Sequence, residues 1–231
     1  RCIIGISAAA LCGAISVAGC TTLIVKQVQV QSKYSNAINL RESGEYDKAL
    51  ELFLELDAYR DSKAQSTETK YLKAVDLVNR GEYSAAQEIL EQLYGEMVYK
   101  DSGEYLNRAR YAQAEQSEEN GEFYSAAESF AALGDYLDSA ERSKDCIDKL
   151  AGKYASGGEY IMAADIYAQN GQAELAREMR MKETERLVSE GSFISAREFM
   201  RKHGMTDAEV KSTLYSMADK LSESAPQTAA E

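Results

Sequence analysis

Gly44–Phe53 reads GEYDKALELF, and the same order of glycine, aromatic residue, alanine and bulky apolar residue returns four more times along the chain. The returns begin at Gly81, Gly121, Gly158 and Gly191. Successive glycines are 37, 40, 37 and 33 residues apart. A pattern that recurs at such a period predicts a helical repeat protein.

The unequal intervals have local causes. Leu56 and Tyr59 are separated by two residues, whereas Leu93 and Tyr99 are separated by five, which explains the interval of 40. The shortest interval, from Gly158 to Gly191, lacks the Tyr-x-Asp-Ser element that closes the first three units.

Each unit is predicted to form two helices joined by a glycine turn. In the second unit a helix opens at Asp61-Ser62 and runs to Arg80, and Gly81 ends it, as glycine does in the left-handed position past a helix end. A shorter helix begins near Tyr83, with one apolar face at helical spacing. That face consists of Tyr83, Ala86, Ile89, Leu90 and Leu93.

The recurrent alanine predicts close helix crossings, because a larger side chain there would push two backbones apart at a cost of about 1–3 kcal/mol. The Tyr-x-Asp-Ser elements predict helix starts at which Asp61, Asp101 and Asp138 accept hydrogen bonds from free backbone amides. Glu104 and Glu141 follow two of these aspartates by three residues and approximate a capping box.

These features resemble the tetratricopeptide repeat. The resemblance is carried by Ala37, Leu40, Gly44, Tyr46, Ala49 and Phe53. Units that end in Tyr-x-Asp-Ser are similar to a divergent form found in membrane-anchored proteins of Gram-positive bacteria. The resemblance covers about residues 31–205 and implies an all-α fold, an α-solenoid of about five helical hairpins. The chain departs from the family in lacking the closing proline and in having periods longer than 34 residues.

The amino-terminal segment is apolar. Cys2–Val25 carries no charged residue, and its 24 residues would span ~36 Å as a helix, enough for a hydrocarbon core of about 30 Å. We therefore expect residues 1–26 to form a transmembrane helix. Val17–Cys20 also resembles a bacterial lipobox, which makes lipidation of Cys20 the alternative, although Leu23, Ile24 and Val25 continue the apolar run beyond it. A cleaved signal without lipid is a third possibility. All three place the repeats outside the cytosol if the amino terminus stays inside.

Composition excludes some functions. The net charge is −12, from 38 acidic and 26 basic residues, which disfavours nucleic-acid binding. Cys146 is the one cysteine within the repeats, so no disulfide framework is expected there, and packing is the expected role of this thiol.

The chain after the last repeat predicts a capping helix. Thr206 and Glu209 fit a capping box, and the helix that follows presents Val210, Leu214, Met217 and Leu221 on one face, which would cover the exposed end of the repeats. We assign residues 27–222 to the repeat domain with this cap and residues 223–231 to a disordered tail.

Catalysis finds little support in the sequence. The single histidine, His203, lies at a predicted helix end, where the helix dipole favours the imidazolium. No Cys-x-x-Cys motif, phosphate-binding glycine loop or pair of histidines is present, so no cofactor and no metal are expected. The recurrent Glu45, Glu82, Glu122 and Glu159 lie about one repeat apart, too far to share an ion. We expect the protein not to be an enzyme.

The expected function is binding. We predict a membrane-attached, extracytoplasmic scaffold for a protein or peptide partner, because stacked hairpins present a continuous concave face. In the tetratricopeptide family the first helix of each hairpin lines that face, and the register implied by the resemblance marks Arg41, Val78, Glu115 and Glu118. Two alternatives are a sensory or regulatory domain of a larger membrane protein, suggested by the first residue being Arg1, and a domain that binds cell-wall glycan.

Overall fold

The computed structural model describes the backbone of residues 7–224 and the side chains of residues 25–222 apart from Met97. Within these residues every regular element is an α-helix, in agreement with the predicted all-α class. In chain order the helices are α1 (Ser7–Glu42), α2 (Tyr46–Leu56), α3 (Ser62–Asn79), α4 (Tyr83–Met97), α5 (Ser102–Glu119), α6 (Phe123–Leu133), α7 (Ser139–Ser156), α8 (Tyr160–Gln169), α9 (Ala173–Ser189), α10 (Phe193–Lys202) and α11 (Asp207–Ser224).

The chain divides into two compact units, Arg1–Gln113 and Ala114–Glu231, with the division inside α5. In the first unit α1 packs on α2, α2 on α3 and α3 on α4. In the second unit α6 to α10 pack in the same consecutive way, and α11 contacts both α9 and α10. Helices that pack on their neighbours in the chain form the helical hairpins that the repeat predicts.

Glycine turns close the first helix of each hairpin, as predicted. At Gly81 φ is +79°, its N–H donates to the carbonyl of Val78 at 3.1 Å, and the N–H of Glu82 donates to the carbonyl of Leu77 at 2.9 Å. These two bonds satisfy carbonyls that the helix end would leave without partners. The same arrangement recurs at Gly44, Gly121, Gly158, Gly171, Gly191 and Gly204. Gly171 thus ends α8 in the unit that lacks Tyr-x-Asp-Ser.

The predicted apolar face of α4 lies in the core. Ala86, Leu90 and Leu93 are buried, and Tyr83 and Ile89 are partly buried against the same cluster. The repeat alanine is fully buried in all five hairpins, as expected where two helices approach closely. These residues are Ala49, Ala86, Ala126, Ala163 and Ala196.

The three extra residues between Leu93 and Tyr99 lengthen α4. This helix has 15 residues, whereas α2 and α6 have 11. The added turn carries Tyr94, whose ring lies against Gly103 at the start of α5, and a Cβ at Gly103 would come within 2.8 Å of that ring. Glycine at position 103 therefore makes room for the longer helix.

The predicted caps at Asp61 and Asp138 are wrong, because neither side chain bonds to the free amides of its helix. The Asp61 carboxylate instead accepts from the hydroxyl of Tyr34 at 2.6 Å and from Nε2 of Gln65 at 2.8 Å. In the same way Asp101 accepts from the hydroxyl of Tyr71. In both cases a tyrosine hydroxyl from the first helix of the preceding hairpin donates to the carboxylate that was predicted to accept from the backbone amides.

The capping box at the start of α11 is confirmed. The backbone N–H of Thr206 donates to Glu209 at 2.8 Å, and the N–H of Glu209 donates to Oγ1 of Thr206 at 3.3 Å. These reciprocal bonds satisfy two free donors at the helix start.

The predicted membrane segment, 1–26, lies largely outside the described residues. Its backbone is helical from Ser7 onward as part of α1, while residues 1–6 and the side chains of residues 7–24, including Cys20, are not described. In the described part of the chain, no helix is long and apolar enough to cross a membrane. The predicted tail, 223–231, also lies outside the described residues except for the last two backbone positions of α11.

Candidate functional site

Arg41, one of the four predicted groove residues, joins two first helices. Its guanidinium donates to Oε1 of Gln65, and its side chain is 16% exposed. Arg41 lies near the end of α1, and Gln65 lies near the start of α3. This side chain is used mainly within the protein.

Val78 is a core residue. It is 2% exposed and belongs to a buried cluster with Leu90 and Leu106. A side chain buried to this degree offers almost no surface to a partner, so we assign the binding surface without it.

Glu115 and Glu118 are brought together by Arg142 of α7. The guanidinium contacts Glu115 at 2.5 Å and Glu118 at 2.6 Å, and it lies over the ring of Phe130 at 4.6 Å. Lys149 adds a 2.5 Å contact to Glu118, which is 12% exposed. Burial raises the pKa of Glu118, but the hydrogen bonds from Lys149 and Arg142 outweigh it and leave that pKa below its ordinary value.

Three of the predicted residues share one structural role. Arg41, Val78 and Glu118 each precede a repeat glycine by three residues, and each contacts or shares a core cluster with the following first helix. This register therefore makes contacts between successive first helices. The family resemblance gave the register without showing that these side chains would be used in this way.

A cavity of about 750 Å³ lies between α9 and α11 in the second unit. Val188 and Met217 are buried in its floor, and Tyr160 at the start of α8 also lines it. Leu221 was predicted to cover the end of the repeats, but it is 39% exposed and lines this cavity. The cap buries Val210 and Met217 and leaves an open cleft along its last turns.

Basic side chains surround this cleft, which we call the α9–α11 cleft. Arg186 is held by Glu183 at 2.7 Å and Glu190 at 2.6 Å, and these bonds raise its pKa. Lys182 pairs with Glu178 at 3.0 Å. Lys220 has no ion pair among the described residues. Among the described residues that line the cleft, Glu185 is the one carboxylate, so the cleft edge carries charges of both signs.

A second cavity, of about 310 Å³, lies among α9, α10 and α11. Arg180 lines it, and the Nε atom of Arg180 is buried and without a hydrogen-bond partner in the described part of the chain. His203 also lines it, and its ring lies tilted against the ring of Phe199, with the ring centroids 4.5 Å apart. We call this space the Arg180 pocket.

His203 lies at the carboxyl end of α10, as the sequence predicts. Burial lowers the pKa of His203, and the positive charges of Arg180 and Lys202 lower it further. The neutral imidazole is therefore favoured, whereas an interaction with the helix dipole would favour the imidazolium.

The structure offers little for covalent or metal chemistry. Cys146 is fully buried. Burial is the main reason why the pKa of its thiol is raised, and the nearby negative charge of Glu118 raises it further. No group of three or more His, Cys, Asp or Glu side chains in the described residues could hold a metal ion. Comparisons of the chain with protein-family models, curated proteins and solved structures find no match. The α9–α11 cleft and the Arg180 pocket each combine apolar side chains with basic ones, and they are the candidate sites.

Proposed function

We propose that this protein is a membrane-attached, extracytoplasmic scaffold, in which the helical hairpins stack into an α-solenoid and bind a segment of a partner protein or peptide. The α9–α11 cleft is the observation that carries this proposal. Its volume of about 750 Å³ lies within the range of about 300–1,000 Å³ that is typical of ligand sites.

The shape and lining of the cleft favour an amphipathic helix as the bound segment. Two long helices border the cleft, and above a floor of buried Val188 and Met217 its accessible apolar surface comes from Tyr160 and Leu221. A partner helix with apolar residues at three- and four-residue spacing would bury them on this floor. Leu221 would lose its solvent exposure in the same step and contribute to the affinity.

Charge favours an acidic partner. The whole chain carries a net charge of −12, so most of its surface repels acidic segments. The cleft edge, by contrast, carries Lys182, which pairs with Glu178, and Lys220, for which no ion pair occurs among the described residues. Acidic residues beside the apolar face of the partner would therefore select this cleft over the rest of the protein.

Binding is tested with two fluorescent peptides of about 15 residues that share one apolar face and carry either glutamate or lysine on the other. We expect the glutamate peptide to bind at least about tenfold more tightly, and we expect Lys220→Glu to remove that preference. Lys211→Glu, on the same helix but outside the cleft, is the matched control and leaves the preference intact. Equal binding of the two peptides, or equal effects of both substitutions, contradicts the proposal.

Attachment and location are tested by the intact mass of the membrane-extracted protein and by protease access in whole cells. A chain that begins at Cys20 with added acyl mass supports a lipid anchor. An uncleaved chain whose repeats are digested from outside supports a membrane helix. Repeats that stay protected in intact cells and are digested after lysis contradict an extracytoplasmic location.

A further inference from the structure

The Arg180 pocket has a lining that suits one class of ligand. We infer that it binds a carboxylate attached to a compact apolar group, with the carboxylate on Arg180 and the apolar group against the methionine and phenylalanine side chains. This site is separate from the α9–α11 cleft and does not rest on the proposed scaffold function.

Arg180 supplies the anchor. A guanidinium carries five N–H donors, and neither a hydrogen bond nor an ion pair to this side chain occurs among the described residues. Its Nε atom is buried without a partner in the described part of the chain, which is an unfavourable state for a charged donor. A carboxylate accepts from Nε and one Nη atom side by side, so binding would satisfy the buried donor with the geometry that arginine prefers.

Part of the pocket lining is apolar. Met200 is buried, and Met181, Phe199 and Met205 are partly buried around the same space. Methionine side chains adapt to irregular shapes, and a ring beside them gives a rigid wall. The volume of about 310 Å³ is at the lower end for ligand sites, which limits the apolar part to about the size of one large side chain.

The charge balance favours one negative charge on the ligand. Arg177 and Arg180 line the pocket, but so do the carboxylates of Glu174 and Glu209. Glu209 is fixed by two hydrogen bonds from Thr206, at 2.8 Å and 2.7 Å. The two carboxylates oppose a dianion such as phosphate, whereas a single carboxylate needs only the guanidinium of Arg180, which has no partner among the described residues.

Calorimetric titration of the full chain with N-acetyl-leucine, and with the amide of the same compound, tests this inference. We expect the acid to bind at least about tenfold more tightly than the amide, because the ionised group strengthens its bonds to arginine. Arg180→Gln should remove that difference. Arg197→Gln, at an exposed position of α10 outside the pocket, should keep it.

Two further measurements separate binding from a structural role. Glu174→Gln should tighten acid binding severalfold because it removes an opposing charge, and the melting temperature of Arg180→Gln should be unchanged or higher because an unsatisfied buried donor is lost. Hexanoate distinguishes the source of the carboxylate: tighter binding than N-acetyl-leucine indicates a free apolar acid, and weaker binding indicates the last residue of a peptide. The inference is overturned if the amide binds as well as the acid, or if neither acid saturates the protein.

Discussion

Asp57 and Gly134 occupy the same backbone position at the ends of α2 and α6, yet only one of them is glycine. Asp57 has φ 46° and ψ −108°, and Gly134 has φ 59° and ψ −122°. Each is the first central residue of a tight turn. In the turn at Asp57 the N–H of Tyr59 donates to the carbonyl of Leu56 at 2.9 Å. In the turn at Gly134 the N–H of Tyr136 donates to the carbonyl of Leu133 at 3.2 Å. This conformation strains any residue that has a Cβ.

Asp57→Gly is therefore expected to stabilise the protein. Relief of backbone strain exceeds the added entropy of the unfolded chain, and we expect a net gain of about 1 kcal/mol in the free energy of unfolding, measured with urea. The lost contact with Lys63, at 3.4 Å between two exposed side chains, contributes little. Asp57→Ala is the control, since it loses the same contact but keeps the Cβ. An equal gain from both substitutions would show that strain is not the cause.

Between elements, tyrosine–carboxylate hydrogen bonds tie successive repeats of the first unit together. Tyr34 donates to Asp61 at 2.6 Å, Tyr71 donates to Asp101, and Tyr99 donates to Glu68 at 2.6 Å. Burial and the Asp101 carboxylate raise the pKa of Tyr71. The hydrogen bond to Glu68, with burial and its charge, raises the pKa of Tyr99 to about 12.

These shifts predict a loss of stability at high pH. An unfolded tyrosine ionises near pH 10, so between pH 10 and about 12 the folded chain holds more protons than the unfolded chain, and stability falls as the pH rises. Below pH 10 the contribution is complete. We expect Tyr99→Phe to cost about 1 kcal/mol at pH 8 and to flatten the decline, as followed by urea unfolding from pH 8 to pH 11.

The control is Tyr215→Phe, which changes an exposed tyrosine of the second unit. It should leave both the stability at pH 8 and the steepness of the decline unchanged. A decline in Tyr99→Phe as steep as in the unsubstituted protein would contradict the prediction.

The helices were predictable where their signals are local. Gly81 and the stripe from Tyr83 to Leu93 determine a turn and a buried face within a few residues, and both are found as expected. Asp61 was not predictable in the same way, because its acceptor oxygens are taken by Tyr34, 27 residues earlier in the chain. The α9–α11 cleft was not predicted from the sequence. Leu221 continues the apolar spacing of α11, and that spacing alone does not show where along its length α11 ceases to pack on α9.

At the scale of the whole molecule, α1 to α4 of the first unit and α6 to α11 of the second pack on their neighbours in the chain, so the removal of one element should have local effects. We expect a chain truncated before Thr206 to lose about 3–6 kcal/mol in the second unit, because Val210 and Met217 no longer cover Val188 and its neighbours. Hydrogen exchange should show reduced protection of amides in α9 and α10, with α3 unchanged. A chain truncated after Ser224 is the control. An equal loss of protection in α3 and α9 would contradict this locality.

The added turn of α4 also matters to anyone who modifies the molecule. One added turn returns the chain to nearly the same side of the helix. The Tyr-x-Asp-Ser element that follows therefore starts α5 in the way that the corresponding elements start α3 and α7. In this element the N–H of Ser102 donates to the carbonyl of Tyr99 at 3.0 Å. The junction between α4 and α5 is thus a natural place to graft a short epitope or a fluorophore attachment point. Such a graft should keep whole-turn lengths and retain Gly103, on which the side chain of the inserted turn rests.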